Sequence, residues 1–600
     1  MKRIRIFFLL VVIFTSAGNL FAQKKSIKYT LSLPEPHSHY FIVNMELTGF
    51  KGTTDIKMPV WAPGSYLIRE FPKNVVAFNA FNNKSEQISA SKINKNTWRL
   101  KNADPVKTEV VYKVYAFEHS IRTSFLDADH GYINGTSVFM FVEGSLDIES
   151  VLEIHLPEDW NLVSTALPRI DEESWIFKAN DYDQLADCPI EMGNHEEFDF
   201  MAAGIKHRVA MYGEGNFDVV RLKKDMTAII EHLTDIFGEN PNDDYLFIIH
   251  NIDRPGGGLE HANSTTIQVN RWDYEPQRRY YGFLSLVAHE YFHLWVVKRI
   301  RPDALGPFDY SNENYTHLLW VMEGFARYYS ELVLRQLGYT SEERFINKLG
   351  DDCARVNNQP GNAVQPVSAA SFDAWIKFYR SNENSVNTEV SYYSKGAVIA
   401  SMLDLLIIHN TEGEKNLGDV LKHIYNTQYK KRGTGITDQE MKDALEEVSN
   451  SNLDEFYANC INGTENLDLG EFVKYAGLEL SVIQPHISEN LLGLQYDDKG
   501  GVITVKRVTE GSSAWKAGLN VRDEIISFDS YRVKGANISK ILNTKSPGDT
   551  MEVLVSRRGK MKLLTLEIAP NDSNRYLITK KSKPSELEVE VFEKWLKGKN

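Results

Sequence analysis

Apolar and polar residues alternate along short segments in the first third of the chain. The alternation has a period of two over residues 39–50, 108–118 and 151–156, and Gly, Pro, Asn and Asp separate these segments. Because side chains of a β-strand point alternately to its two faces, this pattern predicts strands with one buried face. Residues 24–200 are therefore predicted to form a β-rich, sandwich-like domain.

The periodicity changes after about residue 205. Apolar residues then recur three or four positions apart, which predicts amphipathic helices. The segments with this spacing are 217–237, 281–298, 314–337 and 395–409. One strand-like run, 245–251, precedes three consecutive glycines. Residues 205–475 are predicted to form a mainly helical domain that carries an edge sheet.

Strand-like segments return near the C-terminus. Residues 478–572 are predicted to form a small separate β domain, and the remaining residues, 573–600, a charged tail that is a solvated helix or disordered. Within the β domain, strands are predicted at 502–508, 524–530 and 550–557 and a helix at 538–543. The whole chain is thus predicted to be a multidomain α+β protein.

The first 22 residues have the pattern of an export signal. A basic start precedes an apolar run at 6–14, and Ala22 provides a small residue for cleavage. The run is too short to span a bilayer, so residues 1–22 are interpreted as a signal peptide, with a transmembrane anchor as the alternative. The protein is expected to be exported to the periplasm or the extracellular medium, without an integral membrane segment in the mature chain.

Composition excludes one class of partner. The net charge is −14, and no long Lys/Arg block interrupts the sequence. Nucleic-acid binding requires a basic surface that meets phosphates, so no nucleic-acid partner is expected. Three widely spaced cysteines, Cys188, Cys353 and Cys460, are interpreted as buried small hydrophobic residues rather than disulfides or thiolate ligands.

The strongest chemical signal is the segment Ala-His-Glu-Tyr-Phe-His at 288–293. On a helix, residues four apart lie on one face, so His289 and His293 can bind one Zn²⁺. Glu290 lies one position round from His289, where it can act as a general base without ligating the metal. The sequence therefore predicts a zinc-dependent hydrolase centre with one metal ion per chain.

A catalytic zinc normally takes three protein ligands, so a third must follow the histidines. The downstream carboxylates are Asp303, Asp309, Glu313, Glu323 and Glu331. Glu323 lies within an apolar helical segment, where a buried carboxylate requires a cation. Glu323 is the predicted third ligand, with Glu313 as the alternative.

Hydrolysis of a peptide bond also requires a donor for the developing oxyanion. Tyr392 and Tyr393, which precede Ser-Lys-Gly at 394–396, are both candidates on the residues alone.

Several of these segments together resemble the glycyl aminopeptidase family of zinc peptidases, family M61. The resemblance covers nearly all of the chain after residue 24. It is carried by Trp-Ala-Pro-Gly-Ser-Tyr at 61–66 with Arg69 and Phe71, Gly-Gly-Gly-Leu-Glu-His at 256–261, and the segments 289–302 and 318–329. The resemblance implies a β-rich N-terminal domain, a thermolysin-like catalytic domain at 205–475 and a C-terminal PDZ domain at 478–572.

The resemblance also implies substrate-binding residues. In the related larger group of zinc aminopeptidases, a Gly-x-Met-Glu-Asn loop binds the free α-amine of the substrate. The matching residues here are Gly257, Gly258, Leu259, Glu260 and His261, with His261 in place of the Asn. Glu260 is thereby implied as the amine anchor, and the glycines as the strand along which an extended substrate lies.

Two further motifs are implied in the same way. A Tyr-x-Lys-Gly motif, whose tyrosine stabilises the oxyanion in the larger group, matches Tyr393 to Gly396 and favours Tyr393 over Tyr392. In the PDZ-like region, the backbone amides of a loop would bind a C-terminal carboxylate of a peptide partner. That loop comprises Leu491, Leu492, Gly493 and Leu494.

Three functions are consistent with these residues. The favoured one is a secreted zinc aminopeptidase that removes small N-terminal residues, Gly or Ala, from peptides. A PDZ-guided zinc endopeptidase acting on protein substrates is the first alternative. A non-catalytic binding protein with a structural zinc is the second, and the intact Glu290 argues against it.

Overall fold

The computed structural model of the protein describes residues 24–483, 492–570 and 573–597. The predicted signal peptide, residues 1–22, lies outside them. The described residues form a β-rich domain, a helical domain with a sheet and a small β domain, in that order. The predicted multidomain α+β architecture is confirmed.

The N-terminal domain contains three sheets and one short helix. Its elements are β1 Ser26–Ser32, β2 Tyr40–Thr48, β3 Gly52–Lys57, β4 Val75–Phe81, β5 Ala90–Lys92, β6 Thr97–Ala103, β7 Thr108–Tyr115, β8 Phe125–Leu126, β9 His130–Ile133, β10 Phe141–Val142, β11 Ser150–His155, β12 Leu162–Thr165, β13 Arg169–Asp171, β14 Ile176–Ala179, α1 Tyr182–Ala186 and β15 Ile190–Gly193. The sheets have the orders β13-β14-β11-β1-β2-β7-β4, β10-β3-β6-β5 and β12-β15-β9-β8. Strand β2 shows why the sequence alternates, because every second residue from Phe41 to Leu47 is buried in the domain core.

The central domain combines a five-stranded sheet with eleven helices. Its elements are β16 Glu196–Ala202, β17 Ile205–Tyr212, α2 Val219–Phe237, β18 Asp244–Ile252, β19 Gly257–Glu260, β20 Ser264–Asn270, α3 Gln277–Phe292, α4 Leu319–Gln336, α5 Glu342–Asn358, α6 Val367–Phe372, α7 Ser385–Thr388, α8 Tyr392–Asn410, α9 Leu417–Ile424, α10 Asp438–Ser449, α11 Asp454–Phe456, α12 Leu469–Val473 and β21 Leu478–Ile483. The sheet order is β16-β17-β18-β20-β19, and β19 is an antiparallel edge strand.

Both faces of this sheet are covered. Tyr245, Phe247 and Ile249 of β18 point into the core of the helical domain, whereas Leu246 and Ile248 point into the core of the N-terminal domain. A strand buried on both faces is a continuous apolar run rather than an alternating one. The sheet therefore joins the two domains, and its edge strand β19 is fixed between them.

Helix α3 is shorter than predicted. It ends at Phe292, with His293 as its C-cap, instead of continuing to residue 298. The cationic residues that follow the helix make contacts elsewhere. Lys298 pairs with Asp187 at 2.8 Å, and Arg299 donates to the carbonyl oxygen of Ala262 at 2.9 Å. These contacts tie the segment after the helix to the sheet and the N-terminal domain.

Two predicted domain boundaries are wrong. Strand β16, which overlaps the predicted N-terminal domain, pairs with β17 and belongs to the central sheet. Strand β21, which was assigned to the C-terminal β domain, pairs instead with the strand that follows that domain. In both cases the backbone hydrogen-bond ladder, which the sequence pattern does not reveal, decides the assignment.

The small β domain lies between β21 and the last strand. Its elements are β22 Leu494–Lys499, β23 Val502–Val508, α13 Ser513–Lys516, β24 Glu524–Phe528, β25 Tyr531–Arg532, α14 Gly535–Leu542, β26 Thr550–Arg557 and β27 Lys560–Glu567. The strands are ordered β22-β23-β24-β26-β27, with β25 paired to β24. It has its own apolar core, so the prediction of a separate domain is confirmed.

Where it is described, the predicted charged tail, residues 573–600, forms a strand and a helix with one buried face rather than a fully solvated helix. Strand β28 Arg575–Lys580 pairs with β21, and helix α15 Glu586–Lys597 follows it. Trp595 is buried and donates through Nε1 to the hydroxyl of Tyr328 on α4 at 2.8 Å. An apolar face with Val591, Phe592 and Leu596 explains the packing, because burial of these side chains stabilises the contact while the charged side chains of the helix stay at least partly exposed. The small domain is therefore an insertion between β21 and β28, and the pairing of these two strands holds its two ends together.

The three cysteines form no disulfide. Cys188 and Cys353 are buried as predicted, but Cys460 is only half-buried. Among the described residues, no helix is long and apolar enough to cross a membrane.

Candidate metal centre and active site

Helix α3 brings the two predicted histidine ligands together. The Nε2 atoms of His289 and His293 are 3.1 Å apart. The Nδ1 atom of His293 lies 2.6 Å from the carbonyl oxygen of Val296. Since a carbonyl only accepts, Nδ1 carries the proton, and the lone pair on Nε2 is free to bind a metal.

Glu323 on α4 completes a triangle with these atoms. Its Oε2 lies 3.5 Å from His289 Nε2 and 3.4 Å from His293 Nε2. A tetrahedral Zn²⁺ with bonds of about 2.0–2.1 Å holds its ligand atoms about 3.3 Å apart. The three side chains therefore fit a zinc ion. Glu313, the alternative ligand, does not belong to either group of potential metal ligands found among the described residues.

The electrostatics of the site also favour a cation. Glu260, Glu290 and Glu323 are all buried around His293. Burial raises the pKa of Glu290 to about 8, and the Glu260 and Glu323 carboxylates add to the rise while His293 opposes it. Although burial opposes a charged imidazole, the three carboxylates raise the pKa of His293 well above its usual range. The cluster thus attracts positive charge to the point where the ligand atoms converge.

Glu290 is held against the edge strand. A Cβ atom on Gly258 would lie 2.1 Å from Glu290 Oε1, so β19 can approach the carboxylate only because Gly258 has no side chain. Gly257 adopts a φ of +89°, which residues other than glycine rarely adopt. The two predicted glycines therefore place the edge of the sheet directly beside the predicted base.

Glu260 lies at the other end of β19, beneath a loop of the N-terminal domain. A Cβ atom on Gly64 would lie 2.7 Å from Glu260 Oε1, and Gly64 has a φ of +82°. The buried Oε1 atom has no hydrogen-bond partner among the described residues. The segment 61–66, which the sequence analysis singled out without a role, therefore forms a wall of the site.

His261 is not part of this cluster. Its Nδ1 lies 3.0 Å from Asp187 Oδ1, and Asp187 also accepts from Lys298. The structure therefore places His261 in the network that joins the sheet to the N-terminal domain, and does not bring it together with Glu260.

The two candidate tyrosines differ in position. Tyr392 is fully buried, whereas Tyr393 is half-buried and its ring centroid lies 6.4 Å from that of His289. Tyr393 is therefore the one beside the metal ligands. Lys395 lies away from them, because its buried Nζ donates to Asn362 at 2.9 Å.

A close contact between two glycines brings Tyr393 near Glu323. A Cβ atom on Gly324 would lie 2.5 Å from the Cα of Gly396, so helices α4 and α8 cross at a point without side chains. The close crossing brings the start of α8, with Tyr393, next to Glu323. The glycine of the Tyr-x-Lys-Gly motif therefore has a packing role.

Several residues near the centre are not among the site residues that the sequence predicts. Tyr66 is buried and its pKa is raised well above 10 by burial, with Glu323 and Glu260 contributing. Tyr379 and Arg122 also lie near these charges. Tyr66 lies in a motif that was recognised, so its position could have been suspected. Tyr379 and Arg122 carry no signal in the sequence, because they reach the site only through the tertiary fold.

The predicted carboxylate loop of the small domain is partly described. Leu491 lies outside the described residues. Leu492 and Leu494 are buried, and the carbonyl of Gly493 accepts from the amide of Thr509 at 2.6 Å. The strand that follows, β22, is an edge strand of the sheet, which is the position that a bound peptide strand would extend.

Comparisons with known proteins identify related families and structures. Models of the peptidase M61 N-terminal domain, the M61 glycyl aminopeptidase and the PDZ domain match residues 28–194, 282–399 and 490–568. An aminopeptidase N family protein from Idiomarina loihiensis, whose crystal structure is known, is 31% identical, with 95% of this chain and 100% of that chain covered and a TM-score of 0.89. A variant of an M1 zinc metallopeptidase from Deinococcus radiodurans is 12% identical, with 75% and 96% covered and a TM-score of 0.48. A search of curated proteins found no match.

The fold and the site define a zinc metallopeptidase. The chain belongs to the M61 glycyl aminopeptidase family, with a C-terminal PDZ domain. Zn²⁺ is the metal that this family implies.

The contact between Gly258 and Glu290 can be tested directly. A Gly258→Ala substitution should push the Glu290 carboxylate away and lower kcat/KM by on the order of 100-fold, because misplacement by about 1 Å has that cost. Zinc content, measured by mass spectrometry of the purified protein, should not change. Gly282→Ala is the matched control. Gly282 lies on α3, the helix that carries Glu290, and no atom lies within 4 Å of a Cβ added to it. Equal activity of the two variants would contradict the close contact.

Proposed function

We propose that the protein is an aminopeptidase that releases small N-terminal residues, Gly or Ala, from peptides, with one Zn²⁺ per chain held by His289, His293 and Glu323. The observation that carries the proposal is the buried Glu260 carboxylate at the end of β19, with an oxygen that no described residue satisfies. A buried unpaired carboxylate is costly, and the free α-amine of a peptide lying along β19 would neutralise it.

The preference for a small first residue is supported by the loop above Glu260. Gly64 lies so close to both Glu260 oxygens that even a Cβ there would lie within 2.9 Å of them. The buried ring of Tyr66, from the same loop, packs against the ring of Trp375, with centroids 5.7 Å apart. The space around the amine anchor is thereby bounded on the side of the N-terminal domain.

Each residue of the site would have a separate role in the hydrolysis of the peptide bond. Bound zinc would polarise the substrate carbonyl and make water more acidic. Glu290 would take the proton of the attacking water and pass it to the leaving amine. Tyr393 would donate its hydroxyl proton in a hydrogen bond to the carbonyl oxygen as negative charge develops. Gly257 and Gly258 would align the peptide backbone along the edge strand.

One observation favours the alternative of a PDZ-guided endopeptidase. Asn387 on α7, in the segment that leads into Tyr392 and Tyr393, donates to the Val508 carbonyl at 3.0 Å and accepts from the Glu510 amide at 2.8 Å. A protein substrate held by the PDZ domain would thus be close to the active-site side of the molecule. The alternative of a non-catalytic binding protein is wrong, because the family is one of zinc peptidases.

The role of Glu290 as the base predicts a specific loss. Glu290→Gln should lower kcat by roughly 100- to 10,000-fold, because the side chain can no longer accept the proton. Zinc content should remain at one ion per chain, since Glu290 is not proposed as a ligand, whereas His293→Ala should lose the zinc. Substantial turnover by the Gln variant would contradict the mechanism.

The role of Glu260 separates an aminopeptidase from an endopeptidase. Glu260→Gln should raise KM for free Gly- and Ala-peptides roughly 10- to 100-fold, the value of a hydrogen bond to a charged group. The unmodified enzyme should not cleave the same peptides after N-terminal acetylation. Rapid cleavage of acetylated peptides by the unmodified enzyme would favour the endopeptidase instead.

We also propose that the protein is exported, on the basis of the basic and apolar pattern of residues 1–22. Fractionation of the producing cells should recover the protein from the periplasm or the medium with its N-terminus near Gln23. Recovery only from the cytosol, with residues 1–22 attached, would contradict export.

A further inference from the structure

A loop of the N-terminal domain meets the beginning of β19. Arg122, on the loop between β7 and β8, donates from Nη1 to the carbonyl of Gly256 at 3.2 Å. Gln268 of β20 links the same two segments, because its Oε1 accepts from the Gly256 amide at 3.1 Å and its Nε2 donates to the His119 carbonyl at 3.4 Å. Arg122 is therefore held at one end of the proposed substrate strand, and Glu260 marks the other end.

The guanidinium of Arg122 is not in direct contact with a carboxylate of the described residues, although its charge acts on the nearby Glu290. Among the described residues it makes no salt bridge, and its buried Nε has no hydrogen-bond partner. Arg69 lies close by and is bonded to the hydroxyl of Ser65 at 2.8 Å rather than to an acid. Burial and the positive charge of Arg122 lower the pKa of Arg69, while the charge of Glu118 opposes the shift, so the two cations lie near each other. Two partly buried cations at one site favour an anionic ligand.

The distance from Glu260 to Gly256 along β19 identifies the anion that fits beside Arg122. An extended strand advances about 3.4 Å per residue, so Glu260 and Gly256 are separated by about 13 Å along β19. A peptide of three or four residues that binds antiparallel to β19, with its amine at Glu260, ends at this distance. Its C-terminal carboxylate would then lie beside Arg122, and an arginine can bind a carboxylate through two parallel hydrogen bonds.

We propose that Arg122, supported by the charge of Arg69, binds the C-terminal carboxylate of a tripeptide or tetrapeptide, and that short free peptides are the substrate class of this enzyme. The inference rests on the proposed aminopeptidase function. It differs from a purely structural role of Arg122, in which the side chain only fixes Gly256 and the start of β19.

The experiment compares three substrates with the same N-terminal residue. These are the free acid Gly-Ala-Ala, its C-terminal amide and glycine p-nitroanilide, of which only the first carries a carboxylate. The unmodified enzyme should prefer the acid over the amide by roughly 10- to 100-fold in kcat/KM. In Arg122→Gln, KM for the acid should rise to that for the amide, so that the preference for the acid is lost. Arg122→Lys, which keeps the charge without the planar fork, should fall between.

Arg380→Gln is the matched control. Arg380 is exposed and donates to the carbonyl of Ile68 at 3.3 Å, so it is a nearby arginine with a backbone contact but no position on β19. The Arg380→Gln variant should retain the preference for the free acid over the amide.

The outcomes separate the two proposals. Equal cleavage of acid and amide by the unmodified enzyme would overturn the role of Arg122 while leaving the aminopeptidase function intact. An equal loss for all three substrates in Arg122→Gln would indicate that the residue only positions β19, and would also overturn the proposal. Failure of the unmodified enzyme to cleave any of the three would overturn both.

Discussion

The active site depends on the burial of negative charge around His293. Glu260, Glu290 and Glu323 come from a strand and two helices, and each is removed from water. Such a cluster is unstable without positive charge, because desolvation and mutual repulsion both oppose ionised carboxylates. A zinc ion at the proposed site between His289, His293 and Glu323 would neutralise part of it, and the amine of the proposed substrate would neutralise another part. Metal binding and substrate binding would therefore both supply positive charge to the buried carboxylates.

Close approach of backbones makes this cluster possible. Gly258 lets the edge strand touch Glu290, Gly64 lets the N-terminal domain cover Glu260, and Gly324 and Gly396 let two helices cross beside Glu323. At each contact a Cβ atom would come within 3 Å of its neighbour, a separation that real Cβ contacts essentially never show. Because these glycines have no side chains, the edge strand, the N-terminal domain and the two helices can lie close enough together to form one site.

The N-terminal domain is part of the enzyme rather than an appendage. It shares a core with one face of the central sheet, its Gly64 lies against Glu260, and its Arg122 donates to the carbonyl of Gly256. The PDZ domain is attached differently, because β21 and β28 close its two ends and α15 anchors the chain on α4. Its contact with Asn387 links it to the segment before Tyr393. Both flanking domains thus contact the catalytic domain near elements that form the site.

Much of the fold and the metal centre follows from the sequence alone. The period-two and helical spacings identify the domains, and the four-residue spacing of His289 and His293 identifies the metal site, because local geometry fixes both. Glu323 was predictable for a related reason, since a carboxylate in an apolar helix must meet a cation. The end of α3, the pairing of β21 and the packing of residues 573–597 were not, because they depend on partners far away in the chain. Arg122 and Tyr379 join the site for the same reason: only the tertiary structure decides which distant side chains share a low-dielectric space with the metal ligands.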